Sequence, residues 1–169
     1  MKRIILQLVL ATGVLAGSTA SALAQPAELL GDHTAWSAYA AEDGSGRICF
    51  AMSAPSATTP QPAGLGEAHL YVTHRVAANV RSEVNLVSGY VFAANSPATA
   101  TVGNQSFALA TAGDGAWLAD PSQSPALVSA MRAGSTMSIT GTSEAGQQIT
   151  QTFSLMGITA ATNQIDSAC

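Results

Sequence analysis

The chain has 169 residues, a formal net charge of −4 and only 9% charged side chains, and its 47% apolar content leans heavily on Ala, which buries little area per residue. Lys2 is the sole lysine, and beyond Arg3 the basic side chains are Arg47, Arg75, Arg81 and Arg132. Four arginines cannot neutralise a run of phosphates, so nucleic acid is excluded as a partner, and an anionic membrane surface with it.

The first residues follow the pattern of a bacterial secretory signal. Lys2 and Arg3 form the positive end, an apolar stretch runs from Ile4 to about Leu15, and Ala22-Leu23-Ala24 is the small-residue box after which a cut is expected. That stretch is shorter than the roughly 20 residues a membrane-crossing helix needs, and no later run matches it, so no transmembrane span is expected in the mature chain. Residues 1–24 are therefore read as a signal peptide, 25–33 as a flexible N-terminal segment and 34–169 as a single domain. After cleavage the ten acids face four arginines, a net charge of −6.

From Thr34 the sequence breaks into short runs with period-two alternation, separated by turn residues, as in a sandwich or barrel. Trp36 to Ala40 and Arg47 to Ser53 flank Glu42-Asp43-Gly44-Ser45-Gly46, a hairpin turn. Ala54 to Gly66, with Pro55, Pro60 and Pro62, reads as a long loop that cannot join a central ladder. His69 to Val76 is the next strand, with Leu70, Val72, His74 and Val76 on one face. Glu83 to Phe92 follows, placing Val84, Leu86, Tyr90 and Phe92 together. Thr99 to Val102 and Gln105 to Leu109 are joined by the two-residue turn Gly103-Asn104. Ala116-Trp117-Leu118 is a strand end at most.

Then the period changes. Ser124 as N-cap, Pro125 at the first helical position, Leu127, Ala130 and Met131 at helical spacing and Gly134 past the end describe a short helix, with Asp120-Pro121 as an alternative start. Ser135 to Thr142 and Gln147 to Leu155 flank the hairpin Glu144-Ala145-Gly146. Ile158, Ala161, Thr162 and Ile165 recur at three and four residues and predict a terminal helix. The expected fold is mainly β, a small β-sandwich or barrel-like domain with one short internal helix, a C-terminal helix and one disulfide.

That disulfide joins Cys49 to Cys169, the two cysteines of the sequence, in a protein expected to leave the reducing cytoplasm. The rival reading, a free thiol nucleophile, would need a nearby base and a role for the second cysteine.

No catalytic set, cofactor loop or metal site is expected. His69 and His74 point to opposite faces of one strand and His33 sits in the leading segment, so three ligands do not converge. His74 reads either as a buried histidine satisfied by a hydrogen bond or as a catalytic base. The mature chain lacks a G-x-S-x-G elbow, and Gly113-Asp114-Gly115 lacks the third glycine and the βαβ setting of a dinucleotide loop. Asp114 and Asp120 bracket Trp117, an arrangement able to hold a sugar or work on a glycosidic bond; otherwise Asp114 belongs to a turn, Asp120 caps a helix and Trp117 packs in the core. Arg75, Arg81 and Glu83 form a charged cluster or a solvated face.

The ordered segments Tyr71-Val72-Thr73-His74-Arg75, Glu83-Val84, Gly89-Tyr90-Val91-Phe92, Ala116-Trp117-Leu118-Ala119-Asp120-Pro121, Met131-Arg132-Ala133-Gly134-Ser135-Thr136-Met137, Gly141-Thr142-Ser143, Thr152-Phe153-Ser154-Leu155 and Ala168-Cys169 carry a resemblance. In them the chain, from Trp36 to Cys169, resembles the invasion-associated locus B family (IalB-like) of alphaproteobacterial envelope proteins. Val76 stands where the family pattern implies Pro, and Glu144-Ala145-Gly146-Gln147 replaces a more basic turn. The resemblance implies a periplasmic, outer-envelope or secreted β protein, virulence-associated in pathogenic members through host-cell invasion, and non-enzymatic. It also supports the terminal disulfide. The expected partner is an envelope or host protein, with a periplasmic small-ligand-binding protein as the alternative.

Overall fold

The computed structural model describes residues 26–169, and the expected leader of residues 1–24 lies outside them. Strand β1 (Glu28–His33) pairs antiparallel with β2 (Trp36–Glu42) across the turn Thr34-Ala35. The sequence predicts a flexible segment over 25–33; most of it is instead an edge strand. Its order comes from distant partners, since Gln164 Nε2 donates to the Leu30 carbonyl and the Ala35 amide donates to Met156 O, 3.1 Å away. Local composition carries no trace of either bond.

β2 turns back into β3 (Arg47–Ser53), which pairs with β5 (His69–Arg75). Between them, the proline-rich stretch is a loop except for β4 (Ala57–Thr59), a three-residue strand on the margin of β11 (Gln148–Ser154). A margin is where a segment flanked by prolines can pair without interrupting a ladder.

β6 (Val80–Val87) ends well before Phe92, where the alternation pattern predicts its end. The chain breaks at Ser88 and Gly89. Gly89 has φ +73, and a Cβ there would stand 2.5 Å from the Gly66 carbonyl oxygen, so the backbone turns at a position only glycine fills. Pairing resumes at Phe92 as a single bridge to Ser143. β7 (Ala98–Val102) and β8 (Gln105–Ala112) meet through Gly103-Asn104 in the expected register, Val102 opposite Gln105. β9 (Gly115–Leu118) is a full strand between β8 and β6.

A 3-10 turn (Pro121–Gln123) capped by Asp120 leads into helix α1 (Ser124–Ala133), so the alternative start is the one adopted and Ser124 is already helical. β10 (Thr136–Thr142) and β11 form the last hairpin, and α2 (Ile158–Ala168) closes the described chain.

All eleven strands lie in one antiparallel sheet of order β1-β2-β3-β5-β6-β9-β8-β7-β10-β11-β4. The sheet is open, with β1 and β4 at its two margins, and sandwich-like, because its inner faces pack on one another around one core. Leu70, Leu86, Met137, Ile139 and Phe153 belong to that core with less than 2% exposure each. Gln151 of β11 spans the interior to donate to Ser88 O at 2.9 Å. Many inward positions are Ala (Ala38, Ala51, Ala100, Ala116), which lets layers approach closely but yields little area per residue.

The helices cover what the sheet leaves open. α2 packs over β1, β2 and β3 through Ile158, Ala161, Thr162 and Ile165, and α1 packs on β6 through Leu127, Val128 and Met131. Burying a Leu, Ile or Met side chain contributes about 1.5–3 kcal/mol, more than the propensity of such short helices supplies. Cys49 and Cys169 are bonded, tying β3 to the end of α2 across a separation of 120 residues.

Candidate functional site

Inside the fold, His74 is 1% exposed and held at both ring nitrogens. The cause is a β-bulge. Thr73 pairs with Glu83 and Arg75 with Val80, so Arg81 and Ser82 stand opposite His74, and Ser82 takes φ +57. The Ser82 amide donates to His74 Nδ1 at 2.9 Å, which places the ring proton on Nε2, 2.7 Å from Asp166 Oδ1. Asp166 Oδ2 accepts from Arg132 Nη2 at 3.1 Å, and Arg132 Nε donates to the Thr162 hydroxyl. A general base needs a free lone pair within reach of a substrate proton, and the one on Nδ1 is taken by a backbone amide. Of the two readings of His74, the geometry matches the buried, satisfied histidine. Asp166 and Arg132 are invisible as its partners in sequence because they lie on two helices far along the chain.

The other sequence candidates separate. His69 points outward, its ring centroid 6.1 Å from that of Tyr71, and His33 bonds to Gln164 from β1. Asp114 occupies the turn between β8 and β9, where its carbonyl accepts from the Ser88 amide. Asp120 caps the 3-10 turn, and the Ser122 hydroxyl and amide bonded to it hold its carboxyl below the ordinary carboxylate range. The two acids serve separate turns. Arg75 Nη2 lies 3.4 Å from Glu83 Oε1, while Arg81 donates to the Cys169 carbonyl at 2.8 Å. Among the described residues, no group of three His, Cys, Asp or Glu side chains is placed to hold a metal ion, and no helix is long and apolar enough to cross a membrane.

Trp117 is the surprise. Alternation along β9 buries Ala116 and Leu118 and turns Trp117 outward, 42% exposed, against the reading that packs it in the core. It ends a strip of aromatic side chains across the outer face of the sheet. Tyr39 stacks on Phe50 with centroids 5.2 Å apart, Phe50 meets Tyr71 at 6.0 Å, and in register Tyr71 stands opposite Asn85 and Asn85 opposite Trp117. Burial, and secondarily the Glu67 carboxylate, push the Tyr71 hydroxyl up.

Two hollows follow this strip and meet at Asn85. The smaller, of 290 Å³, is shallow and lies over Phe50, Tyr71, Thr73 and Arg75. The larger, of 610 Å³, is walled by Val80, Arg81, Glu83, Asn85 and Trp117 on the sheet, by Pro121 of the 3-10 turn and by Ser124 at the start of α1. Asn85 carried no motif; its outward position, two residues beyond Glu83 on the same strand, was the available signal.

No curated protein sequence matches the chain. The crystal structure of invasion associated protein B from Bartonella henselae superposes with a TM-score of 0.57 at 15% identity, covering 85% of this chain and 98% of that one, a likeness of fold. The profile of the family described as invasion associated locus B (IalB) protein matches residues 36–166, from the start of β2 into the last turn of α2. The chain therefore belongs to the invasion associated locus B family.

Proposed function

We propose that this protein is an exported envelope module that acts by binding a protein or another envelope component rather than by catalysis. The observation that carries the reading is the outer strip in which half-buried Tyr39, Phe50 and Tyr71 run towards the exposed Trp117 beside two adjoining hollows. Aromatic residues left exposed together mark surfaces that are covered in use. Family membership and the Cys49–Cys169 bond support an extracytoplasmic setting, since such bonds persist in oxidising compartments. The use of both His74 nitrogens within the fold supports a non-enzymatic role.

Site-specific photo-crosslinking in cells tests the reading. A photoreactive side chain at Met52 or Trp117 should give discrete adducts, and one at Gln105, on the exposed tip of the β7–β8 hairpin, should not. Adducts equal at all three positions, or at none, would overturn it.

A second reading, a small-ligand-binding protein, is favoured by the larger hollow. Its 610 Å³ falls within the about 300–1,000 Å³ of small-molecule sites.

A further inference from the structure

The larger hollow has a construction that narrows its ligand. Trp117 lies over Gly115, where a Cβ would stand 3.3 Å from the indole Cζ3. The missing side chain leaves a bare stretch of strand beside the indole, which lines the hollow. Asn85 sits directly opposite Trp117 in register. Beyond it on the same strand, Glu83 lies 3.4 Å from Arg75, and Arg81 donates to the Cys169 carbonyl.

We propose that this hollow binds a neutral sugar ring, alone or within a short oligosaccharide, an assignment that rests on the binding role argued above. A pyranose has an apolar C–H face, which the indole matches, and a rim of hydroxyls, each a donor and an acceptor. The Asn85 amide supplies both functions, Glu83 accepts and Arg81 donates. The wall carries one guanidinium and one carboxylate, the latter beside Arg75, and so lacks the cluster of arginines that captures phosphorylated ligands.

The competing occupants fit in part. An acyl chain would meet apolar wall at Val80, Leu118 and Pro121, but it would strip water from Arg81, Glu83 and Asn85 and return no hydrogen bond. An extended peptide gains its affinity from a free strand edge; β9 is paired on each side, but β6 is so only along Asn85–Val87, and its Val80–Val84 stretch beside the hollow is what the peptide arm of the titration probes.

The test is nuclear magnetic resonance titration of the folded, oxidised protein. The panel comprises neutral oligosaccharides of glucose, galactose, mannose and N-acetylglucosamine, with unrelated extended peptides as a second arm. At least one saccharide should shift the amides of residues 83–85 and 115–118 saturably. Asn85→Ala should weaken binding about tenfold, the equivalent of one lost hydrogen bond. Trp117→Ala should abolish it, and Trp117→Phe, which keeps an aromatic face, should restore part of it. Urea melts of each variant separate lost binding from lost folding.

The assignment is overturned if no saccharide shifts these amides, if only peptides do, or if Trp117→Ala binds as the parent does. Crosslinks from positions 52 and 117 in cells alongside a silent saccharide panel would leave the binding module standing and remove the sugar alone.

Discussion

His74 Nε2 and Asp166 Oδ1, 92 residues apart in sequence, stand 2.7 Å apart and join the middle of the sheet to the terminal helix. Because Asp166 also accepts from Arg132, the pair fastens α1 as well. His74→Ala should destabilise the fold by about 2–4 kcal/mol, through the space left and the Ser82 amide orphaned inside the bulge. Asp166→Asn keeps the shape but removes the charge and turns one of the two accepting oxygens into a donor, against either His74 or Arg132; with Asp166 half exposed, about 1–2 kcal/mol is expected. Urea denaturation followed by circular dichroism measures both, and equal losses would contradict this division.

Removing the cross-link should be felt throughout the molecule. The chain-entropy relation for a loop of 120 residues gives nearly 5 kcal/mol, and about 2–4 kcal/mol is the usual yield, so a Cys49→Ala, Cys169→Ala double variant should show a clearly lower urea midpoint. Cys49 is fully buried and Cys169 only partly so, which leaves the Cys169 sulfur as the one a reductant reaches first. Identical midpoints for parent and variant would remove the cross-link from the account of stability.

Two glycines with positive φ should respond very differently to the same methyl group. At Gly157, φ +98, a Cβ would overlap the His33 carbonyl oxygen, and Gly157→Ala should cost about 3 kcal/mol or more by prising the β1–β2 turn from the start of α2. At Gly113, φ +58, a Cβ meets open space, so Gly113→Ala should cost only the backbone strain of about 1–2 kcal/mol. Paired thermal melts decide between steric overlap and backbone strain as the dominant effect.

Burial pushes the Tyr90 hydroxyl from 10.0 up to about 12. The folded protein therefore holds this proton more tightly than the unfolded chain does. The stabilisation is complete below pH 10 and fades as pH rises through about 12. Ultraviolet titration of tyrosinate should show a late component that Tyr90→Phe removes, and the same variant should flatten the alkaline loss of stability. A Tyr90→Phe protein that keeps the late component would assign it to another tyrosine.

Local features were legible where local chemistry decides. Gly103-Asn104 set a two-residue turn and with it the register of β7 on β8, and the spacing of Ile158, Ala161, Thr162 and Ile165 marked the buried face of α2. What escaped was decided at a distance. β1 and β4 are short and weakly apolar, and they are strands because β2 and β11 offer them open edges. The break after Val87 follows from the Gly66 backbone pressing on Gly89, a contact no periodicity encodes. Trp117 was hardest to place, since in a four-residue strand alternation fixes which residues share a face but not which face is inside, and the largest apolar side chain was the natural choice for the core.

The covalent bond between β3 and the terminal helix also shapes how the molecule matures. Two cysteines permit a single intramolecular pairing, so oxidative maturation has no scrambled isomers to sort, and the sole covalent error is a linked pair of chains. The thiol of Cys49 must wait while the intervening strands are delivered, since its mate lies 120 residues further along the chain. Dilution therefore favours the correct product, and crowding of unfinished chains favours the wrong one.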